Sequence, residues 1–417
     1  MPSESETPFG INEGQTYRDL LSSTCAAAQD WRVALSTARE AGLVIVHVLL
    51  VFSCAGSWSA VLTFFLVSWG VVRTKDFIPA RLKGLYAGLG ACVLAATLLV
   101  FRTFPHLLAP IHDGTGASRA LTELLPSSLT FLGLSYCFLR VTYALLDDRR
   151  WRLPQFLRYY FFFPTFASGP IMAPQEMLAQ ESSLSTGALQ DGVARMLLGT
   201  FRVTLAHLLS SYVPLSSEHQ LLWSLAHYPL PLLWLGVFLS GVWLYLDFAG
   251  YSDIFIGGAR LFGISAPENF DRPYAATDIT AFWQRWHISL GNWLRTTIYT
   301  PLSRRAIDHS PRARTAAIVL APIITMIICG AWHMLAWAFV IWGALHGGAL
   351  AVHAVWVRYK GRLLSSKGRS APSGRAGAWL LTHLYVSITW VFFLPVDPNV
   401  SLGLRLRLLS ALLGMSH

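Results

Sequence analysis

Charge is scarce in this chain. Asp, Glu, Lys and Arg make up 13% of its 417 residues, against about 25% in soluble domains. With 54% hydrophobic residues and a mean hydropathy of +0.47, that shortage excludes an ordinary water-soluble domain. Period-two alternation is missing as well. The apolar runs are continuous, which excludes a transmembrane β-barrel. Cysteines are few, and none forms a CxxC pair. Cys25, Cys54, Cys92, Cys137 and Cys329 read as small hydrophobes rather than disulfides. No two histidines stand three or four apart, as a local metal site on a helix would prefer, so no metal is expected. Residues 1–40 carry six acids and three arginines, which is wrong for a cleavable leader. A GxSxG elbow, a Walker loop, HExxH and a dinucleotide fingerprint are all absent. Lysine is rare, 4 against 28 arginines, a skew that fits a GC-rich bacterial genome.

What is present is apolar sequence in quantity. After a polar tail over 1–40, with an amphipathic helix expected from about Tyr17 to Glu40, a single membrane domain is expected over 41–417. Ala41–Val72 is too long for one span of about 20 residues, and Gly56-Ser57 is expected to divide it. Further spans are expected at Gly84–Phe101, Leu124–Leu146, Phe156–Met172, Val193–Tyr212, Leu221–Leu239, Gly241–Phe262, Ile318–Gly330, Leu335–Val357, Trp379–Leu394 and Leu402–Leu413. The fold class is therefore an all-α polytopic membrane protein with roughly ten or eleven embedded helices. The net charge of +10 does not imply nucleic acid, because the basic residues cluster in short loops between apolar runs. Residues 73–83, 304–314 and 358–375 hold four, four and six Lys/Arg and are expected in the cytoplasm of a multi-pass inner-membrane protein. Thr315–Val357 then leaves the cytoplasm and returns, with His333 at the turn.

Polar groups inside such sequence are costly without partners or a task. Two Trp-His pairs stand out, Trp286-His287 and Trp332-His333. Asp278–Thr300 reads as one amphipathic helix, with Trp283, His287, Leu290 and Leu294 sharing a face at i, i+4, i+7 and i+11. From spacing alone, His287 is as readily a structural donor as a base. His346, flanked by Gly343, Gly347 and Gly348, reads as a helix-packing residue. Leu246–Glu268 carries Asp247, Tyr251, Ser252 and Asp253, a density that suggests a cavity-lining or re-entrant stretch. Arg260 or Arg285 is the expected counter-ion. Phe163-Pro164 and Gly169-Pro170 bracket a bend in another apolar run.

Together these stretches resemble the membrane-bound O-acyltransferase family. Phe163-Pro164 and Gly169-Pro170-Ile171 resemble its FP…GPI turn. Asp247–Asp253, Leu261-Phe262-Gly263, Pro267–Phe270 and Arg272-Pro273-Tyr274 resemble its central block. Phe282–Leu290 with Trp293-Leu294-Arg295 resembles its signature helix. Gly330–His333 and Gly343…His346-Gly347 resemble the stretch holding its catalytic histidine, and Trp390–Phe393 its closing span. The likeness runs over about 125–393 and is closest to the bacterial branch of alginate and polysaccharide O-acetylases and teichoic-acid D-alanyl transfer proteins. It implies helices around a central funnel and acyl transfer to a hydroxyl. His333 corresponds to the catalytic histidine and His287 to the second histidine of the site. The chain departs from the pattern at Thr296, at Met334 and at Pro301–Arg305.

The expected function is transfer of an acyl group, acetyl before others, from a cytoplasmic thioester to a hydroxyl of an exported or cell-envelope glycan. His333 would act as base and His287 beside it. Trp283, Arg285, Trp286, Trp332, Tyr251, Ser252 and Asn269 are the expected substrate-binding residues. No tightly bound cofactor is expected; acetyl-CoA or an acyl-carrier protein serves as donor. The bilayer, the glycan acceptor and an extracytoplasmic acyltransferase are the expected partners. The alternatives are D-alanyl transfer to teichoic acid, acylation of a small natural product, a transporter and an inactive homologue.

Overall fold

The computed structural model describes residues 41–51, 58–103, 127–166, 168–180, 185–210, 213, 218–307, 311–363, 372–393 and 401–415. The expected N-terminal amphipathic helix, Cys25 and Cys54 lie outside them. Helices account for nearly all regular structure there, with one isolated antiparallel bridge, Phe270 to Trp286. In chain order they are α1 (Ala41–Val51), α2 (Trp58–Thr74), α3 (Lys83–Thr103), α4 (Ser127–Leu146), α5 (Leu153–Tyr160), α6 (Pro174–Leu178), α7 (Thr186–Ser210) and α8 (Glu218–His227). Then come α9 (Leu230–Leu261), α10 (Ile279–Trp283), α11 (Ile288–Leu294), α12 (Thr300–Ile307), α13 (Pro311–His333), α14 (Trp337–Leu363), α15 (Pro372–Phe393) and α16 (Leu402–Leu412). Among the described residues, five stretches are long and apolar enough to cross a bilayer: Ala80–Phe101, Leu230–Leu261, Ala316–His333, Trp337–Arg358 and Gly374–Phe393.

Several expected elements differ. Phe156–Met172 is not a span. Pro164 sits in a short 3-10 turn, Phe163–Thr165, and Gly169-Pro170 continues without helix, so the run enters the protein and turns back. The two spans expected at Leu221–Leu239 and Gly241–Phe262 are replaced by a short α8 and one 32-residue helix, α9. Pro229 stands at the N-cap of α9, where its missing N–H costs nothing. The stretch from Leu246, expected to re-enter or to line a cavity, is regular helix as far as Leu261 and does the latter, with Ala249, Ser252 and Asp253 on a cavity wall. The signature segment is not one helix either. It is broken into α10, a turn, α11, a π-helical turn (Arg295–Tyr299) and α12.

The loop ends of α2 and α4 are tied together by a buried lysine. Lys75 donates to the carbonyls of Ala144 (3.1 Å), Asp147 and Arg149 (3.4 Å). These are last-turn and post-helical oxygens that α4 cannot satisfy itself. Burial pulls the Lys75 ammonium below the usual lysine range. Lys75→Met strands three carbonyl acceptors, one of them fully buried, and a loss of about 1–3 kcal/mol is expected. A lowered thermal midpoint in detergent checks this, and an unchanged midpoint refutes it.

Helices α13 and α14 form the hairpin that carries His333. Their backbones approach so closely that a Cβ on Gly330 would lie 2.1 Å from the Phe339 carbonyl oxygen. One on Gly343 would lie 2.2 Å from that of Met326. Glycine is required for this contact, and the contact brings Trp342 up beside His333.

Candidate active site

The site begins with a pair of backbone strands too short to be a sheet. Asp278 caps α10 by accepting from the Ala281 N–H at 2.8 Å. After one turn the chain leaves helix, because its backbone pairs with the 269–271 segment. Asp271 N–H donates to Arg285 C=O at 3.0 Å, and Ile288 N–H donates to Asn269 C=O at 2.9 Å. Between these bonds His287 takes φ +43°, and Arg272 at the other end takes φ +46°. A left-handed histidine is uncommon, and such positions concentrate at functional sites. Side-chain periodicity could not reveal this turn, because the pairing partner lies far along the chain.

Asn269 is the hub behind the turn. Its amide donates to Ser252 Oγ at 3.0 Å, and its Oδ1 accepts from Ser289 Oγ at 2.6 Å. Ser289 Oγ accepts from the Ile171 N–H at 3.0 Å, which brings the FP…GPI turn to the same point. Asn269 and Ser252, named from sequence as substrate-binding, thus both sit immediately behind His287. They also line a polar cavity of about 320 Å³. Arg195 and Arg202 of α7 lie on its wall. Both grip Asp253, and Arg195 also grips Glu268 with two nitrogens. The expected counter-ions Arg260 and Arg285 are not the ones used. Arg260 faces Asp191 at 3.9 Å, and the Arg285 carbonyl holds the bridge. Tyr251 is 42% exposed, with its ring against Phe255 one turn along the same helix.

His287 itself is 2% exposed. Its ring lies edge-on to Phe248 (centroids 4.6 Å) and 6.5 Å from Tyr136. Tyr136 also meets Trp332 at 5.6 Å, and Trp332 meets His333 at 4.7 Å. His333 ends α13 at the break before α14, where the sequence placed it. Trp342 (5.9 Å) and Phe393 (5.2 Å) stand edge-on to its ring. Trp390 closes the circle, packed on Trp286 at 5.2 Å and on Phe393 at 5.3 Å. The two histidines, from segments 46 positions apart, are therefore brought to one aromatic box, linked through the rings of Tyr136 and Trp332. Tyr136, Trp342 and Trp390 were not singled out as site residues. Each sits in an apolar run with no spacing that distinguishes it from core.

The box holds an unusual set of polar atoms. His287 Nε2 and the indole N–H groups of Trp332, Trp342 and Trp390 are buried with no hydrogen-bond partner in the protein. Buried polar nitrogens are nearly always satisfied. Trp332 and Trp342 belong to rings that meet His333, so with His287 they mark a place suited to meet something else, whereas Trp390 Nε1 faces Gly241 of α9 beside the Tyr274 hydroxyl. Among the described residues, no group of three His, Cys, Asp or Glu side chains is placed to hold a metal ion. A second cavity, of about 300 Å³, opens on the other side of Trp283, between α10–α11 and the α13–α14 hairpin. Gln284, Tyr299, Pro322, Met326 and Leu350 line it.

The left-handed turn yields a prediction about stability. Asparagine tolerates φ near +43°, whereas a β-branched residue does not. His287→Val should therefore be less stable than His287→Asn by about 1–3 kcal/mol. Thermal unfolding of both variants in detergent decides it, and equal midpoints would show that the turn relaxes freely.

The profile of the membrane-bound O-acyltransferase family matches residues 56–394. Among curated proteins the chain is 31% identical over 246 residues to a teichoic acid D-alanyltransferase of Streptococcus thermophilus, covering 56% of this chain and 59% of that one. It is 29% identical over 317 residues to a probable alginate O-acetylase of Azotobacter vinelandii, covering 74% and 56%. It is 30% identical over 250 residues to a peptidoglycan O-acetyltransferase of Helicobacter pylori, covering 58% and 44%. The chain thus spans about half the length of these relatives.

Proposed function

We infer that this chain, which belongs to the membrane-bound O-acyltransferase family, transfers a small acyl group from a cytoplasmic thioester to a hydroxyl of an exported or cell-envelope glycan. Acetyl is the favoured group. One observation carries the chemistry: the unpartnered nitrogens of His287, Trp332 and Trp342 in the aromatic box that holds His333.

An alcohol attacks a thioester slowly until a base takes its proton. In this reading an imidazole nitrogen of His333 accepts the acceptor's O–H proton as the oxygen bonds to the thioester carbon. The carbonyl oxygen becomes an oxyanion, and it is the group that the buried N–H donors of the box suit. Collapse breaks the C–S bond. The thiolate leaves and takes the proton from His333, so the enzyme ends as it began. Aromatic walls keep water, the competing nucleophile, out of the box.

Lys75 ties the loop after α2 to the loop after α4, so both stand on one side of the membrane. That side is cytoplasmic by the positive-inside rule, as the basic loops 73–83, 304–314 and 358–375 suggest. The 300 Å³ cavity reaches Ile318 and Ala354, toward the ends of α13 and α14 that adjoin two of those loops. This supports entry of the thioester, acetyl-CoA or a carrier-protein arm, from the cytoplasm. The glycan reading rests on relatives named for alginate, peptidoglycan and teichoic acid. The Streptococcus relative keeps D-alanyl transfer as the second reading. An extracytoplasmic acyltransferase would enter only where the hydroxyl acylated here serves as a relay to the glycan.

Mass spectrometry of envelope glycans and extracted metabolites tests the proposal, with wild-type cells set against cells lacking the protein. Loss of an acetyl-sized mass from one glycan class supports acetyl transfer. Loss of an alanyl-sized mass moves the donor to D-alanine. Identical spectra refute acyl transfer to any of them.

A further inference from the structure

His346 stands outside the reaction just described, yet it is completely buried beside it. Its hydrogen bonds have only one consistent direction. Trp283 Nε1 can only donate, and it lies 3.2 Å from His346 Nδ1, so Nδ1 is the acceptor. The remaining nitrogen, Nε2, lies 2.8 Å from Thr389 Oγ1. Thr389 Oγ1 donates its own proton to Val386 C=O at 2.8 Å, so it must accept from Nε2–H. The chain therefore runs Trp283 to His346 to Thr389 to Val386, and it crosses α10, α14 and α15. Only the neutral imidazole protonated on Nε2 fits it.

What this relay holds is the indole of Trp283. One side of that indole lines the 300 Å³ cavity. The other stands edge-on to Trp342, centroids 5.7 Å apart, and Trp342 stands 5.9 Å from His333. Trp283 is thus the partition between the cavity and the aromatic box, and a side chain from another helix fixes its rotamer.

We propose that His346 is a positioning residue: by pinning Trp283 it limits the length of acyl group that can pass from the cavity to His333. The proposal rests on the acyl-transfer reading above, with the cavity as the donor's approach. The relay is directional, so its two ends can be tested separately. His346→Gln keeps a polar side chain but breaks the geometry of the relay. Trp283→Phe keeps an aromatic partition but removes the N–H that the relay grips.

The experiment measures kcat/KM for acetyl-CoA and butyryl-CoA with purified wild type, both single variants and the double variant. The wild type is expected to prefer acetyl. Each single variant should lose about tenfold of that preference, chiefly through a better KM for butyryl-CoA, and the double variant should lose no more than either alone. If the ratio is unchanged in His346→Gln, or if the two losses multiply, the proposal fails and His346 only packs helices. A wild type inert toward both CoA thioesters and toward acetyl on a carrier protein would overturn the acyl-transfer reading and this proposal together. A general folding defect would lower both kcat/KM values alike and leave their ratio unmoved, which also counts against the proposal.

Discussion

His333→Ala is expected to abolish acyl transfer while the protein stays folded in the membrane. General base catalysis contributes about 10²–10⁴ in rate. Its loss should lower kcat by about 10³, a barrier increase of about 4 kcal/mol. The His333 ring meets Trp332, Trp342 and Phe393 at once, whereas His287 is held against Phe248 and Tyr136 on a separate turn. Its place at the last turn of α13 limits the structural damage, because truncation there removes no interhelical hydrogen bond that holds the hairpin. The check is transfer from a labelled thioester by purified variant and wild type, together with thermal unfolding of each. Activity within tenfold of wild type would remove His333 from the base role. Lost activity with a collapsed thermal midpoint would make the residue structural.

Gly343→Ala is expected to cost more than about 4 kcal/mol, at the extreme of single substitutions. Elsewhere in a helix the same change stabilises, by roughly 0.5–1 kcal/mol. Here the new Cβ would stand 2.2 Å from Met326 O and 2.8 Å from its carbonyl carbon. Both are backbone atoms and cannot rotate away, so α13 and α14 must separate. Gly348, on the same helix five residues later, has nothing within 4 Å. Gly348→Ala is therefore the control, and it should unfold at or above the wild-type temperature. The monodisperse fraction after detergent extraction and the thermal midpoint of each variant measure the contrast. If Gly343→Ala matches Gly348→Ala, the close approach of the two helices is wrong.

Composition and apolar run length were enough to read an all-α membrane protein, and the ends of α3, α4, α13, α14 and α15 fall within several residues of expectation. The break holding His333 was legible because two apolar runs flank a short Trp-His-Met-Leu interruption. The turn holding His287 was not. Its residues fit a helical face, and what pulls them out of helix is pairing with 269–271, which no local pattern encodes. Nor was α9 legible as one helix, since a lone Gly241 between apolar runs looks like a boundary. Packing on both sides overrides the weak preference that glycine expresses. The counter-ions of Asp253 were missed for a similar reason. Arg195 and Arg202 lie 58 and 51 positions away, and only the packing of α7 on α9 brings them near. His346 was read as a packing residue, which its burial fits. That it also fixes an indole could be seen only once α10 and α15 were placed on either side of it.

The length of α9 bears on how deep a membrane this protein leaves between its two aqueous sides. The apolar part, Leu230–Leu246, rises about 26 Å, close to a hydrocarbon slab of about 30 Å. Roughly four more turns follow, from Asp247 to Leu261. A rod that outruns the slab must tilt, protrude or thin the lipid around it. The Asp253 carboxylate, clamped by two guanidiniums, belongs at the level of headgroups rather than acyl tails. The polar recess beside it is then expected at the water-facing margin of the slab, where a rod of this length ends.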